Sequence, residues 1–267
     1  MKFESGLSMQ SSASRKALFG LMKAIGSPRE SLSWIVRGHL AKDSVFVSQS
    51  YWFSGELPRA PLCEILPGID EVEVRLPRGF DRKSGISISV EEACHLGAIA
   101  RFIKARNALE IGTYDGNTAL VLASNGDVDG TVVTVDLPPD FGIEMQDSFT
   151  YSGIELNLTP RNQLGRQYRG HCLSSRIKQV YGDSARIDWY ALGAPFDLVF
   201  IDGCHSEAYV QSDSENAMKH LATGGVVVWH DYGMIPEVSK VVDRLAREMS
   251  TIRVYALQGT RLAIALT

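Results

Sequence analysis

Residues 107–118, Asn-Ala-Leu-Glu-Ile-Gly-Thr-Tyr-Asp-Gly-Asn-Thr, constrain this chain more than any other stretch, because a short apolar run breaks at a glycine turn and resumes as a helix. Asn107 to Ile111 reads as a strand ending in an acid. Gly112 and Gly116 give the turn backbone freedom, and Asn117-Thr118 opens the apolar run Ala119 to Ala123. This is the turn of a nucleotide-binding βα unit. A turn that grips a pyrophosphate reads G-x-G-x-x-G, but Tyr114 stands where the middle glycine belongs and keeps the backbone from closing on phosphates. The expected ligand is a nucleoside without phosphates.

The 267 residues, 45% of them hydrophobic, are enough for one large domain with an appendage. A net charge of −4 leaves no electrostatic footprint for nucleic acid. No apolar run reaches the roughly 18 to 20 residues that span a bilayer, so no membrane partner is expected. Lys23 interrupts the best N-terminal apolar stretch, Ala17 to Ile25, which argues against a cleaved signal. The four cysteines lie apart with no C-x-x-C pair, and the expected home is the reducing cytoplasm.

Two domains are expected, a cap or lid over 1–85 and a regular domain over 86–267. In the cap, residues 15–25 and a stretch opened by Ser27-Pro28 have helical spacing. Tyr51-Trp52-Phe53 forms an aromatic cluster, and Val72, Val74 and Leu76 alternate like an edge strand. These helices and aromatics would also offer a surface for a homo-oligomer. Ser89 and Glu92 make a capping box ahead of a helix to about Lys104. Beyond it, strand candidates fall at 107–111, 131–136, 176–181, 197–201, 225–229, 252–257 and 261–266. The fold class is therefore α/β: a doubly wound, mainly parallel, seven-stranded sheet with an antiparallel last strand and an N-terminal helical cap. Residues 137–175 exceed a simple crossover and read as a substrate lid with a short helix, leaving the ligand edge of the sheet.

Chemistry-bearing residues collect at that edge. Asp136 ends the second strand and can accept from both ribose hydroxyls. Gly182-Asp183-Ser184 ends the third, where an adenine edge would lie. Asp202 and His205 follow the fourth, and His230-Asp231-Tyr232 the fifth. Two carboxylates and two imidazoles on neighbouring strand ends can hold a divalent cation and still leave one imidazole as a base.

These residues carry a resemblance. From about Ser89 onward, Leu109-Glu110-Ile111-Gly112-Thr113 with Gly116 and Thr118 resembles the cofactor signature of class I S-adenosylmethionine-dependent methyltransferases. Phe200-Ile201-Asp202-Gly203, His205, Tyr209 and His230-Asp231-Tyr232 resemble a subgroup with sugar and natural-product O-methyltransferases. The first 85 residues lie outside the match. The resemblance implies a Rossmann-like fold. It assigns S-adenosylmethionine binding to Glu110, Gly112, Thr113, Tyr114, Gly116, Asn117, Thr118, Asp136, Leu137, Asp183, Ser184 and Asp202. In the catechol type, an Asp after the fourth strand and an Asp-Asn pair after the fifth hold magnesium. By position that role falls here to Asp202, His230 and Asp231, with His230 an unusual ligand for an oxygen-preferring ion.

The implied reaction is direct methyl transfer to a small-molecule hydroxyl, oriented by Asp202 and Asp231 and deprotonated by His205, where the family's base is a lysine. Three other readings share these residues. One is a dinucleotide dehydrogenase, against which Tyr114 counts; another is a cofactor-binding module without catalysis that acts through its cap. The third is a hydroxylase-labelled branch of the same subgroup.

Overall fold

The computed structural model describes residues 55–81, 87–139, 163–249 and 252–267. The expected N-terminal helices, the aromatic cluster and the middle of the 137–175 connection lie outside them. Contacts divide the chain into two units, Met1–Ser54 and Gly55–Thr267. Residues 55–81, assigned by sequence to the cap, thus belong to the same unit as the sheet. Among the described residues, no helix is long and apolar enough to cross a membrane.

The second unit is an eight-stranded sheet: β1 (Arg59–Ala60), β2 (Asn107–Ile111), β3 (Thr131–Asp136), β4 (Ile177–Tyr181), β5 (Phe196–Ile201), β6 (Leu221–Trp229), β7 (Arg253–Leu257) and β8 (Ala263–Leu266), in spatial order β1-β7-β8-β6-β5-β2-β3-β4. Only β8 is antiparallel to its neighbours, β6 and β7. The mainly parallel α/β architecture is as the sequence predicts, with one strand more. That strand, β1, has two residues and pairs with β7. The alternating Val72, Val74 and Leu76 form no strand. Asn125 takes the place of a strand partner there: its side-chain amide accepts from Arg75 N at 2.7 Å and donates to Arg75 O at 2.9 Å.

Helices cover both faces. α1 (Leu62–Ile65), α2 (Val90–Phe102) and α3 (Asn117–Asn125) precede β3; α4 (Glu207–Lys219) and α5 (Pro236–Glu248) flank β6. Period-two alternation sends Leu198, Phe200, Val226 and Val228 into one core with Leu96, Ile99, Leu120 and Leu122. Val199, Val227 and Trp229 face Val210, Val238, Val241 and Leu245 in the other. The α2 box forms in full, with Glu92 N donating to Ser89 Oγ and Ser89 N to Glu92 Oε2. Pro236 occupies the first turn of α5, where its missing N–H costs nothing.

The strand order reverses between β2 and β5, which are parallel neighbours though far apart in sequence. Such a switch point opens a crevice at the carboxyl ends of the strands. Gly112 makes the approach possible, since a Cβ there would lie 2.1 Å from the Asp202 carbonyl oxygen.

Candidate active site

At the cofactor end, the turn after β2 is fastened to the end of β3. Thr113 N and Tyr114 N donate to Asp136 Oδ2 at 3.0 and 3.1 Å, and Leu137 N donates to Oδ1 at 2.8 Å. Asp136 thus fixes the turn whose ligand it is expected to bind. Tyr114 sits at φ 45°, a left-handed conformation uncommon for a tyrosine. Glu110 is fully buried and accepts from Thr134 Oγ1. Burial, joined by the charges of Asp202, Asp136 and Asp115, holds its carboxyl well above the usual carboxylate range. Burial also raises Asp115.

The remaining residues of that wall are spent locally. Asn117 is buried, accepting from Asp81 N at 2.9 Å and donating to Ser87 Oγ at 3.1 Å. Asp183 accepts from Ala185 N at 3.0 Å and pairs with Arg186 at 3.3 Å. Ser184 is buried next to it, and Thr118 lies in the first turn of α3.

At the other end, the loops after β5 and β6 bring together Asp202, His205, His230 and Asp231, as the strand-end positions predict. His205 Nε2 lies 3.6 Å from Asp202 Oδ1 and 3.4 Å from Asp231 Oδ2. His230 is buried, its Nδ1 3.1 Å from Asp202 Oδ1 and 3.4 Å from Asp231 Oδ1, its Nε2 3.3 Å from Glu92 Oε2. Burial opposes charge on this ring, but Asp202 and Asp231 outweigh it and hold the imidazolium well above the usual histidine range. With both nitrogens facing carboxylates, His230 stands apart from the three groups whose ligating atoms lie within 4.8 Å of one another, Asp202, His205 and Asp231.

Two residues that the sequence reading leaves out of the site complete it. Arg261, after the β7–β8 turn, donates through Nε and Nη2 to both Glu92 oxygens at 3.1 and 3.0 Å, and through Nη1 to Asp231 Oδ1 at 2.9 Å. Burial works most strongly against the charge on Glu92, Asp202 and Asp231, yet their partners together outweigh it and hold all three below the usual range: His230 at each, joined by Arg261 at Glu92 and Asp231 and by His205 at Asp202. Glu92 was legible as a helix cap; that its carboxylate also anchors Arg261 had no local signal. Arg261 did have one, a lone charge opening the apolar Leu262-Ala263-Ile264.

Tyr232, part of the resemblance, faces elsewhere. Tyr232 Oη donates to Asp243 Oδ1 at 2.6 Å and accepts from Leu57 N at 2.9 Å, tying the segment before β1 to α5. Tyr209 is a core residue of α4.

Residues 109–232, from within β2 to just past the end of β6, match the model of a methyltransferase domain. Over that span the chain is similar to a methyltransferase domain. A catechol O-methyltransferase of Mycobacterium tuberculosis is 28% identical over 145 residues, and the match covers 54% of this chain and 56% of that relative. The chain thus spans little more than half the length of this curated relative. Among solved structures, a SAH-bound methyltransferase from Podospora anserina shares the fold at a TM-score of 0.54 and 16% identity, covering 80% of this chain and 98% of that one. The O-methyltransferase TomG of Streptomyces achromogenes, in complex with SAM, has a TM-score of 0.50 at 18% identity, covering 76% and 96%.

Proposed function

We propose that this chain is a methyltransferase that moves a methyl group from S-adenosylmethionine to a hydroxyl of a small molecule. The observation that carries the reading is the set of carboxyls around the turn. Asp136 lies against the turn at 3.0 and 3.1 Å, Gly112 packs on Asp202, and residues 107–118 contain no lysine or arginine. A pyrophosphate would be repelled there, whereas a nucleoside bearing ammonium and sulfonium charges finds complementary charge.

The residues fit that cofactor. Asp136 would take the ribose hydroxyls, Asp183, Ser184 and Leu137 the base, and the turn from Glu110 to Thr118 the remainder. When bound, S-adenosylmethionine supplies a methyl group on a sulfonium, open to attack by an oxygen. The chain's own groups do the rest: Asp202 and Asp231 orient the acceptor hydroxyl, and His205 Nε2 takes its proton. The resulting imidazolium is stabilised by the same two carboxylates, 3.6 and 3.4 Å away. Holding the reactants together accounts for much of the rate, with effective molarities of about 10⁵ M or more in well-oriented systems.

A divalent cation is the second reading, favoured by the convergence of Asp202, His205 and Asp231. Two carboxylate oxygens and one imidazole suit manganese, iron or zinc better than magnesium. Such an ion would supply Lewis acidity that lowers the acceptor's pKa.

The acceptor reading follows the subgroup, a sugar, glycoside or other natural product, with catechols added by the name of the similar protein. Incubation with methyl-labelled S-adenosylmethionine and a panel of catechols and glycosides, read by mass spectrometry, tests it. A labelled methyl on an acceptor oxygen is the expected result. Added oxygen without methyl would point to the hydroxylase-labelled branch. Turnover that survives exhaustive chelation would leave His205 to act without a metal.

A further inference from the structure

The glycine turn is backed by side chains that no motif marks. Tyr168 Oη donates to Gln179 Oε1 at 2.5 Å, and Gln179 Nε2 donates to Thr113 Oγ1 at 2.9 Å. Having accepted that bond, Thr113 Oγ1 gives its one proton to Thr134 Oγ1 at 2.7 Å, which in turn donates to Glu110 Oε2. Each hydroxyl has a single proton to give, so the whole chain runs one way, from Tyr168 to Glu110.

The backbone of the same segment clasps the turn. Gly165 N donates to Tyr114 O at 2.8 Å and Gln167 N to Asp115 O at 2.9 Å. Arg166 pairs with Asp81 at 2.9 Å and with Asp115 at 3.7 Å. The second glycine of the turn is explained by the same contact, because a Cβ on Gly116 would lie 2.6 Å from the Tyr168 ring. Gly116 makes room for a tyrosine as well as for a ligand.

We propose that Tyr168 and Gln179 are positioning residues for the nucleoside cofactor, acting through Thr113. The inference rests on the cofactor reading above. Thr113 is the pivot: its hydroxyl is set by Gln179, and its N–H, with that of Tyr114, orients the Asp136 carboxylate toward the ribose. Removing the Tyr168 hydroxyl takes the partner of the Gln179 amide oxygen and leaves its Nε2 bonds, to Thr113 Oγ1 and at 3.2 Å each to Thr134 O and Val180 O, to hold the side chain; the loss reaches Asp136 through two bonds.

Titration calorimetry of the full chain with S-adenosylhomocysteine tests this. Tyr168→Phe keeps the ring against Gly116 and should weaken binding about fivefold to tenfold, the scale of one lost buried hydrogen bond. Gln179→Met should weaken it at least as much, and the double variant should match Gln179→Met within about twofold, because both break one chain. A structural role alone would lower the melting temperature and leave the affinity of the folded protein unchanged. Tyr168→Phe protein that is folded and binds within about twofold of wild type overturns the inference. Wild-type protein that fails to bind S-adenosylhomocysteine would instead overturn the cofactor reading beneath it.

Discussion

Glu110 near the end of β2 and Asp202 just past the end of β5 are neighbours on one sheet edge, Glu110 buried and Asp202 partly so, and their surroundings push them in opposite directions. Glu110 meets hydroxyls and other acids, and its carboxyl is driven up. Asp202 meets His230 and His205, and its carboxyl is driven down. Around Glu110 the cofactor wall is thus built from directed hydrogen bonds onto an acid that resists ionising, and the charge offered to a cationic ligand comes from acids at its rim, Asp202 among them. The acceptor wall is built from ion pairs contributed by α2, the β5 and β6 ends and the β7–β8 connection. A single crevice can combine both, because what decides the charge of a buried acid is whether a cation is supplied beside it.

The largest expected effect separates the two walls by function. His205→Ala should lower turnover by about 10² to 10⁴ while S-adenosylhomocysteine affinity stays unchanged, measured by kinetics on an acceptor from the panel. Unchanged turnover would remove His205 from the reaction.

Breaking the ion pairs should cost stability as well as rate. Arg261→Met leaves Glu92 and Asp231 enclosed with one cation fewer, and urea denaturation should show a loss of about 3 to 5 kcal/mol. A loss below about 1 kcal/mol would mean that Arg261 is a surface contact.

A third acid sharpens the rule. Asp213 on α4 is fully buried, and neither carboxylate oxygen has a hydrogen-bond partner among the described residues. Burial, with the charge of Asp183, pushes its pKa up to about 7. A raised carboxyl binds its proton more tightly when folded, so its contribution to stability falls as pH rises from the ordinary aspartate range to about 7 and is flat above. Asp213→Asn should match wild type near pH 4 and exceed it at pH 8 by up to about 4 kcal/mol. The ion-pair acids have the opposite sign. Their stabilisation is present above the ordinary carboxylate range and fades as pH falls through their lowered values. That of His230 is complete below the ordinary histidine range and fades as pH rises through its raised value.

Asp136→Ala should weaken S-adenosylhomocysteine binding by about tenfold to a hundredfold, since it removes both the ribose acceptor and the anchor of the turn. Equal affinity in the variant would contradict that placement.

Much of this was readable in the chain. Strands covered on both faces must be nearly continuous apolar runs, so Phe196 to Ile201 and Val226 to Trp229 announced themselves, and the edge rule then placed Asp136, Asp202 and Asp231. β6 starts earlier than expected because Leu221 pairs with Phe196 ahead of a register shift, and Ala222 to Gly224 carry no apolar signature. β1 is too short to carry a pattern, and Val72 to Leu76 carried one without becoming a strand, because Asn125 met its backbone. The ion pairs were hidden for a different reason. Glu92 and Arg261 are 169 residues apart, and nothing local tells a capping acid that it will also bind a guanidinium. Thr134 and Gln179 looked like ordinary strand residues, since a polar side chain inside a sheet declares neither its partner nor its direction.

The account turns on the claim that the carboxyl-lined turn selects a cationic nucleoside over a dinucleotide. Parallel calorimetric titrations of the wild-type chain with S-adenosylmethionine and with NADH test it most directly. Saturable binding of S-adenosylmethionine with no measurable heat from NADH is the predicted result. Tight NADH binding in the absence of S-adenosylmethionine binding would contradict it.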